Sequence, residues 1–253
     1  IIEKFAFYKT PITKFSIPPL TKICEDAFLN CQSLQTIEIT ANSELKTIEK
    51  EAFCNTKIES FTIPSSLVEL KEGWGIETPC LTKINISSDN PRYFLHNDTF
   101  IVDKMNCNAL CFCRRNIETA TIPSFIEIIQ SFAFNSCRQL KSIEFEPNSK
   151  LRTIEDYALY DLLIENISIP PSLIELNENW CRNTLKLTKF SVSKDNPQYS
   201  EYNNQLIIGK SSKEIDDFDV IVFGARNIKK VNIPKFITKI APYAFEFCWN
   251  KIQ

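Results

Sequence analysis

Glycine, histidine and methionine are scarce in this chain. Its 253 residues include four glycines, one histidine and one methionine. So few glycines exclude a Gly/Ser linker and a glycine-rich phosphate loop. The single histidine, His96, leaves little of the general-base chemistry that enzymes most often use. These absences argue against catalysis.

Strong charge and long apolar runs are also lacking. The net charge is −2 and the sequence pI is about 5.7. Such a balance supplies no electrostatic footprint for nucleic acid. No run of 18 apolar residues is present, so the sequence predicts no membrane segment. Apolar residues make up 43% of the chain, which is enough to bury a core.

The chain does contain a repeat. Three large side chains recur 106 residues later, as the pairs Phe28 and Phe134, Phe53 and Leu159, and Trp74 and Trp180. A finer unit of about 23 residues begins with two alternating apolar residues. Their first members are Phe15, Ile37, Phe61, Ile84, Ala120, Ile143, Ile167, Phe190 and Val231. This period predicts a right-handed solenoid of about nine stacked coils.

Each unit opens with a predicted strand. Phe61 and Ile63 alternate with polar residues, which is the period of a strand with one buried face. Pro64 ends this strand because proline cannot donate to a sheet ladder. The strands are predicted at residues 14–17, 36–39, 60–63, 83–86, 119–122, 142–145, 166–169, 189–192 and 230–233. We expect them to pair in register as one parallel sheet.

An Ala-Phe dipeptide ends most units, as at Ala52-Phe53. A small residue beside a large aromatic predicts a short helical turn whose ring fills the core. We therefore expect Phe28, Phe53 and Phe134 to be buried, with Trp74 and Trp180 at Phe positions. A cysteine follows the Phe by three residues at Cys31, Cys137 and Cys248. These thiols are expected to be reduced and buried.

Two units are longer than the rest. Asp-Asn-Pro-x-Tyr occurs at residues 89–93 and again at 195–199, and each copy is followed by two short apolar runs. Polar turns separate the runs, so the sequence predicts a β-hairpin inserted into each coil. The insertions span about residues 90–116 and 196–226. Residues 1–253 are otherwise predicted to form a single leucine-rich-repeat domain, truncated in mid-repeat at both ends.

The segment Ile117–Leu140 resembles the BspA-like leucine-rich repeats, a family found in surface proteins of bacteria and parasitic protozoa. The similarity lies in Ile122-Pro123, Ile126, Ile129, Ala133-Phe134, Cys137 and Leu140. It implies a β-dominated leucine-rich-repeat solenoid that acts as a non-enzymatic interaction module. It further implies a cell-surface or secreted adhesin or antigen that binds a host, neighbouring-cell or matrix protein. Two alternatives stay open, a cytoplasmic leucine-rich-repeat scaffold and, more remotely, an enzyme that uses the insertions.

Several other residues are candidates for metal binding, a disulfide or glycosylation. Cys107, Cys111 and Cys113 could bind a metal, form a disulfide or pack as small hydrophobes, and packing is favoured because paired C-x-x-C spacing is absent. Asn97, in the triplet Asn-Asp-Thr, is a glycosylation acceptor if the chain is secreted. The acidic stretch from Glu214 to Asp219 lacks the spacing of a calcium loop. No cofactor and no metal are predicted.

Binding is expected on two surfaces, which we call the outward face and the insertions. Alternation places on the outward face Lys14, Ser16, Thr36, Glu38, Ser60, Thr62, Lys83, Asn85, Thr119, Thr121, Ser142, Glu144, Asn166, Ser168, Lys189, Ser191, Lys230 and Asn232. Solenoids commonly bind protein on such an extended face. The insertions contribute Arg92, Tyr93, His96, Tyr199 and Tyr202. The alternative for the outward face is a surface that is merely solvated.

Overall fold

The structure is a computed structural model that describes residues 1–40, 42–212 and 214–248. It is a β-solenoid of about ten turns with parallel strands, one turn more than the sequence predicted. Within the described ranges the strands are β1 (Lys14–Ser16), β2 (Lys22–Ile23), β3 (Thr36–Glu38), β4 (Thr47–Ile48), β5 (Ser60–Ile63), β6 (Glu69–Leu70), β7 (Lys83–Ile86), β8 (Tyr93–His96), β9 (Phe100–Asp103), β10 (Ala109–Cys113), β11 (Thr119–Ile122), β12 (Ile128–Ile129), β13 (Ser142–Phe145), β14 (Thr153–Ile154), β15 (Asn166–Ile169), β16 (Glu175–Leu176), β17 (Lys189–Val192), β18 (Tyr199–Tyr202), β19 (Leu206–Gly209), β20 (Val220–Gly224) and β21 (Lys239–Ile240). The predicted solenoid fold is confirmed.

The coils are grouped into two compact units. Unit 1 comprises residues 1–117 and 130–138, and unit 2 comprises residues 118–129 and 139–253. The last five residues of unit 2 lie outside the described part of the chain. Each unit is described by itself below. The assignment of residues 1–253 to a single domain stays a prediction.

The outward face of each unit is a four-stranded parallel sheet. In unit 1 the strand order is β1-β3-β5-β7, and in unit 2 it is β11-β13-β15-β17. Equivalent residues pair directly, as Phe61 does with Ile84 and Ile167 with Phe190. Eight predicted strands are therefore confirmed in position and register. The expected single sheet is wrong, because the first insertion separates β7 from β11 along the chain.

The predicted strand at residues 230–233 is also corrected, since no strand is assigned there among the residues that the structure describes. Strand assignment needs a hydrogen-bonded neighbour. The equivalent strand β11 pairs with β13, which begins 23 residues later. The matching position after Val231 lies beyond residue 248, outside the described residues. Val231 itself is buried, as the apolar alternation predicts.

A second set of short strands lies on another side of each coil. Strands β2, β4 and β6 form a parallel sheet in unit 1, and β12, β14 and β16 pair in parallel in unit 2. They hold the second apolar pair of each repeat. Ile48 at the end of β4 and Ile154 at the end of β14 are fully buried. The apolar pairs therefore mark a second layer of the core.

The third side of each coil is a six-residue turn around the Ala-Phe dipeptide. The predicted helical turns are wrong, because the described residues contain no helix. The turn amides donate to the next coil rather than along their own segment. Phe28 N bonds Ala52 O at 2.8 Å, and Leu159 N bonds Trp180 O at 2.9 Å. These bonds between coils make the turns a third ladder.

The left-handed backbone region is visited twice in most of these turns. Asp26 and Asn30 have φ of 57° and 62°, and Glu51 and Asn55 have φ of 54° and 55°. An α-helix cannot accommodate residues in that region. The conformation that aims the turn amides at the next coil is thus the one that prevents helix formation.

Aromatic side chains fill the core between these layers. Phe28, Phe53 and Phe134 are all fully buried, as the repeat predicts. In unit 1 the ring of Phe28 stacks on Phe7 at 4.9 Å and on Phe53 at 5.1 Å between ring centroids. The stacking extends over consecutive coils because each ring occupies the same place in its repeat. Burial of these rings supplies much of the apolar contact between coils.

The two tryptophans occupy the Ala position of the turn, one residue before the predicted Phe position. Glu51 and Asn55 bracket Ala52-Phe53 in the left-handed region, and Gly73 and Glu77 bracket Trp74-Gly75 in the same way. Trp74 nevertheless reaches the core and lies 4.8 Å from Phe61 between ring centroids. At this turn the large residue therefore comes first and the small one second, as Trp74-Gly75, whereas most turns have the small residue first, as Ala52-Phe53.

The insertions are three-stranded antiparallel meanders, not the hairpins that the sequence predicted. In unit 1 the strand order is β8-β9-β10, and in unit 2 it is β18-β19-β20. The extra strand is the Tyr-containing segment, Tyr93–His96 or Tyr199–Tyr202. The last two strands of each meander are almost entirely buried. The insertions are consequently part of the core of their unit.

Within the residues described here, no helical segment has the length and hydropathy needed to cross a bilayer.

Candidate functional site

A buried asparagine fixes the base of each insertion. Asn90 donates through Nδ2 to Pro64 O at 2.7 Å and to Leu67 O at 2.9 Å. Its Oδ1 accepts hydrogen bonds from the amides of Arg92 and Tyr93. The side-chain amide of Asn90 therefore uses both of its N–H donors and its carbonyl oxygen in hydrogen bonds within the fold. Asn196 repeats this arrangement against Pro170 and Leu173 in unit 2.

The expectation that Tyr93 and Tyr199 contact a partner is corrected here. Their exposed fractions are only 2% and 6%. Each hydroxyl accepts a hydrogen bond from the amide of a second-layer strand, Leu70 for Tyr93 and Leu176 for Tyr199, both at 2.8 Å. Burial raises the pKa of both phenols. These tyrosines attach the insertions to the preceding coil.

Arg92 also serves the fold. Its Nε and Nη2 donate to Asp103 Oδ2 at 2.8 and 2.7 Å, and its Nη1 donates to Val68 O at 2.7 Å. The hydrogen bond to Asp103 raises the pKa of Arg92. About one third of its side chain is exposed, whereas Asp103 is buried. Arg92 therefore ties β9 to the base of the insertion, and any contact with a partner stays a prediction.

The outward-face residues lie where alternation predicts. The predicted contact residues on this face are exposed except Ser142, which is half-buried; the exposed residues are Lys14, Ser16, Thr36, Glu38, Lys83, Asn85, Thr119, Thr121, Glu144, Lys189, Ser191, Lys230 and Asn232. Three of them bind one another. Glu38 accepts from Lys14 Nζ at 2.6 Å and from Ser16 Oγ at 2.5 Å, and the Lys14 bond lowers the pKa of Glu38.

An open cleft of about 370 Å³ lies where strand β7 meets the first insertion. We call it the β7 cleft. Its lining combines both predicted surfaces and consists of Ile84, Asn85, Ile86, Ser87, Ser88, Asn90, Tyr93, Phe94, Leu95, Asp98 and Lys104. Lys104 Nζ donates to Asn90 O at 3.2 Å, which holds its ammonium group at the rim. Hydroxyl, amide, ammonium and carboxylate groups thus surround one concave polar surface.

The structure adds residues to this site that sequence reasoning missed. Asp98 and Lys104 lie in the turns on either side of β9, and Ser87 and Ser88 follow β7 directly. A usable signal was the position of these polar turns immediately before and after the buried apolar runs. His96 pairs with Phe100 in the β8–β9 ladder and does not line the cleft. Tyr202 is half-buried and packs edge-on against Phe236 at 5.9 Å.

The cysteines form no disulfide. Among all ten, Cys107 alone is exposed. Cys111 and Cys113 are buried in β10, whose register shifts at Cys111, so simple alternation does not describe that strand. Cys31 and Cys137 are buried and reduced, as the repeat predicts. Over the described ranges, no group of three or more His, Cys, Asp or Glu side chains could hold a metal ion.

Sequence comparison assigns the repeat. The model of the BspA type leucine rich repeat region matches six copies, at residues 1–95, 106–203 and 198–252. This chain belongs to the BspA-type leucine-rich-repeat family. Its protein-interaction repeats account for the stacked coils, and no curated protein matches the sequence.

Solved structures support the same fold for this BspA-type chain. The pneumococcal vaccine antigen PcpA is 18% identical over 91% of the chain, with a TM-score of 0.62. A leucine-rich repeat protein from Eubacterium ventriosum is also 18% identical, over 94% of the chain and 83% of its own, with a TM-score of 0.62. The chain spans 63% of the length of the pneumococcal structure. At this identity the likeness shows the fold alone.

Proposed function

We propose that this BspA-type chain is the non-enzymatic binding module of a cell-surface or secreted adhesin or antigen. Its partner is a protein on a host cell, on a neighbouring cell or in the matrix. Support comes from the family of protein-interaction repeats. The structural similarity to a pneumococcal vaccine antigen is consistent with such a setting.

The observation that carries the proposal is the β7 cleft. It is the place in unit 1 where the exposed outward face and an insertion form one concave surface. Its polar groups can form hydrogen bonds and ion pairs with a protein segment, while Phe94 and Leu95 offer apolar contact. The rest of the outward face is short of aromatic residues and arginine, which dominate binding hot spots.

Deleting an insertion does not test this proposal, because the insertions belong to the core. Removing residues 94–113 would take away β9, β10 and Phe112, whose ring lies 5.4 Å from Trp74 between centroids. A chain that lacks residues 94–113 is therefore not expected to stay folded. Surface substitutions are the appropriate probes.

The test is an arginine substitution that fills the cleft. Asn85→Arg places a long side chain among the residues that line the cleft, and Asn166→Arg is the matched control because Asn166 is likewise exposed on an outward face. Binding is measured by biolayer interferometry against a panel of purified matrix and cell-surface proteins. The proposal expects Asn85→Arg to weaken binding at least about tenfold, or about 1.4 kcal/mol, and Asn166→Arg to leave it unchanged.

Two outcomes contradict the cleft as the site. Equal loss with Asn85→Arg and Asn166→Arg would move binding to the whole outward face. Loss with a Lys83→Glu/Lys189→Glu double variant, while Asn85→Arg binds normally, would assign it to the lysines that recur 106 residues apart. Absence of binding to every protein in the panel, in full-length and truncated chains alike, would contradict the adhesin proposal.

A second candidate is an intracellular leucine-rich-repeat scaffold, and one observation favours it. None of the ten cysteines forms a disulfide, and Cys107 is exposed. Extracellular proteins usually pair their cysteines, whereas reducing compartments keep thiols free. Labelling intact source cells with a membrane-impermeant biotin reagent separates the two. Labelled full-length protein supports a surface location, and labelling only after lysis supports the scaffold.

A further inference from the structure

Arg115 is a buried cation in unit 1. It follows β10 at the end of the first insertion and is only 3% exposed. Its Nη1 donates to Ala133 O at 3.1 Å, its Nη2 donates to Gly75 O at 3.2 Å, and the guanidinium lies 3.9 Å from the centroid of the Phe112 ring. Among the residues that the structure describes, it forms no ion pair with a carboxylate.

Unit 2 contains the equivalent arginine with a carboxylate beside it. Arg226 follows β20 as Arg115 follows β10, and its guanidinium lies over the Phe223 ring at 4.6 Å. Its Nη2 is 3.8 Å from Glu246 Oε2, and Glu246 also accepts from the amide of Asn183 at 3.0 Å. Both arginines therefore anchor an insertion to an Ala-Phe turn. Among the described residues, only the arginine of unit 2 has a carboxylate, that of Glu246, as its partner.

Asn135 occupies the place of Glu246 in unit 1. It accepts from the amide of Glu77 at 2.8 Å, just as Glu246 accepts from that of Asn183. The side-chain contact with the preceding turn is thus kept while the negative charge is lost. A buried guanidinium cannot shed its proton, and leaving it without an anion is strongly destabilising.

The acidic group nearest to Arg115 is a thiol. Cys137 Sγ lies 3.8 Å from Arg115 Nη1 and is fully buried. Cys137 Sγ also lies 3.9 Å from Cys113 O and 3.8 Å from Arg114 O, and the Cys113 thiol, which is fully buried too, donates to Arg114 O at 3.5 Å. Arg115 and Cys113 are the charged and titratable groups that act on Cys137, and Arg114 acts on Cys113.

We propose that Cys137 is the counter-charge of Arg115: a buried thiolate that anchors the first insertion in a pH-dependent manner. When Cys137 is protonated, Arg115 is left buried without an anion and the attachment of β10 to the Ala-Phe turn weakens. Unit 2 lacks this dependence because the carboxylate of Glu246 lies beside Arg226 in the equivalent place.

The electrostatics of the two units agree with this assignment. Burial by itself raises the pKa of the Cys137 thiol, but the hydrogen bond with Cys113 and the charge of Arg115 bring it down to about 7. Burial raises the pKa of Cys113. In unit 2, burial raises the pKa of Cys181 to about 12 and raises that of Cys248, the counterpart of Cys137.

The sign of the pH dependence follows from linkage. The pKa of Cys137 is lower in the folded chain than the ordinary value of 9.0. Its stabilising effect is therefore complete above that value and is lost as pH falls through about 7. The midpoint of urea unfolding should rise between about pH 6.5 and 8.5 in the wild-type chain. A Cys137→Ser variant should lose this rise.

Thiolate absorbance in the ultraviolet tests the charge itself. The difference spectrum between the folded wild-type chain and Cys137→Ser should show about one thiolate at pH 8, where a pKa near 7 gives about tenfold more thiolate than thiol. Near pH 6 the difference should fall to about one tenth of a thiolate. Cys248→Ser is the matched control from unit 2 and should show no thiolate at pH 8.

A second variant, which copies residues of unit 2 into unit 1, keeps the test valid if Cys137→Ser fails to fold. Asn135→Glu with Glu77→Asn copies the Glu246–Asn183 arrangement into unit 1 without adding net charge. Arg115 then has a carboxylate, so the thiolate absorbance and the pH-dependent rise should both disappear while the chain stays folded. The proposal is wrong if Cys137→Ser shows no thiolate difference at pH 8, or if the exchange variant keeps that absorbance undiminished.

Discussion

Residues that repeat in both insertions prove to be structural. Asn90 and Tyr93 recur as Asn196 and Tyr199. In both units the asparagine donates hydrogen bonds to the preceding coil, and the tyrosine hydroxyl accepts one from a backbone amide. An aromatic residue beside polar ones in an elongated coil predicts a contact residue. The burial of Tyr93 depends on a coil 23 residues away, which local sequence does not show. Recurrence of the whole Asp-Asn-Pro-x-Tyr segment was the available signal.

Tyr93→Phe tests the structural role of this hydroxyl. The change removes the acceptor of the Leu70 amide and leaves that buried N–H without a partner, which should cost about 1–3 kcal/mol of unfolding free energy. Tyr8→Phe is the control, because Tyr8 is 42% exposed and should change stability by less than about 0.5 kcal/mol. Urea unfolding measures both. Equal stability of Tyr93→Phe and wild type would contradict the assigned role.

Phe134→Ala tests the aromatic core of unit 1. Phe134 is fully buried and lies 6.3 Å from Phe100 between ring centroids. Truncation to alanine should lower the free energy of unfolding by about 3–5 kcal/mol. Phe5→Ala, at a ring that is 48% exposed, should cost about 1 kcal/mol or less. A similar small loss at both positions would overturn the register of the repeat.

At the scale of elements, strands were predictable and turns were not. Alternation and the Ile-Pro stops placed strands such as β5 and β15 correctly, since both signals are local. The Ala-Phe segments suggested helical turns because a small residue beside an aromatic also suits a helix. Their conformation is set instead by amides such as Phe53 N, which binds Trp74 O at 3.0 Å in the next coil. Hydrogen bonds between coils lie beyond any local pattern.

The turn between β18 and β19 offers a test of backbone conformation. Asn203 and Asn204 both have φ of 52°, and Gln205 N bonds Tyr202 O at 3.1 Å. This is a type I′ geometry, which asparagine and glycine adopt readily. Asn204→Gly should leave stability within about 0.5 kcal/mol of wild type, whereas Asn204→Val should lower it by about 1–2 kcal/mol. Thermal unfolding of the two variants checks this, and equal midpoints would contradict the assigned turn.

For the molecule as a whole, the repeat predicted the solenoid but not how the insertions join it. Nothing in the apolar runs of β9 and β10 distinguishes a projecting hairpin from a strand built into the core, since both need buried side chains. The β7 cleft exists because the insertion packs back on its own coil. Of the residues that line it, Asn85 and Tyr93 were predicted contacts, whereas Asp98 and Lys104 lie in turns with no predicted role.

Thiol accessibility reports on the packing of the whole chain. Cys107 is exposed and Cys80 and Cys248 are half-buried, whereas the other seven cysteines are buried. Under native conditions one thiol should react rapidly with an aromatic disulfide reagent and two more slowly. The remaining seven should react only after unfolding, because the reagent cannot reach them. Rapid reaction of more than three thiols in the folded chain would contradict the described packing.

The central claim is that backbone hydrogen bonds join consecutive coils on all three sides of each unit. These sides include the turns that sequence alone suggests are helical. Native-state amide hydrogen exchange, resolved by residue, tests it most directly. The amides of Phe28, Phe53 and Leu159 donate across coils at 2.8 to 3.0 Å, so they should be as strongly protected as the strand amides of β5 and β15. Exchange at these three positions as fast as at the exposed tip residue Asn97 would contradict the claim.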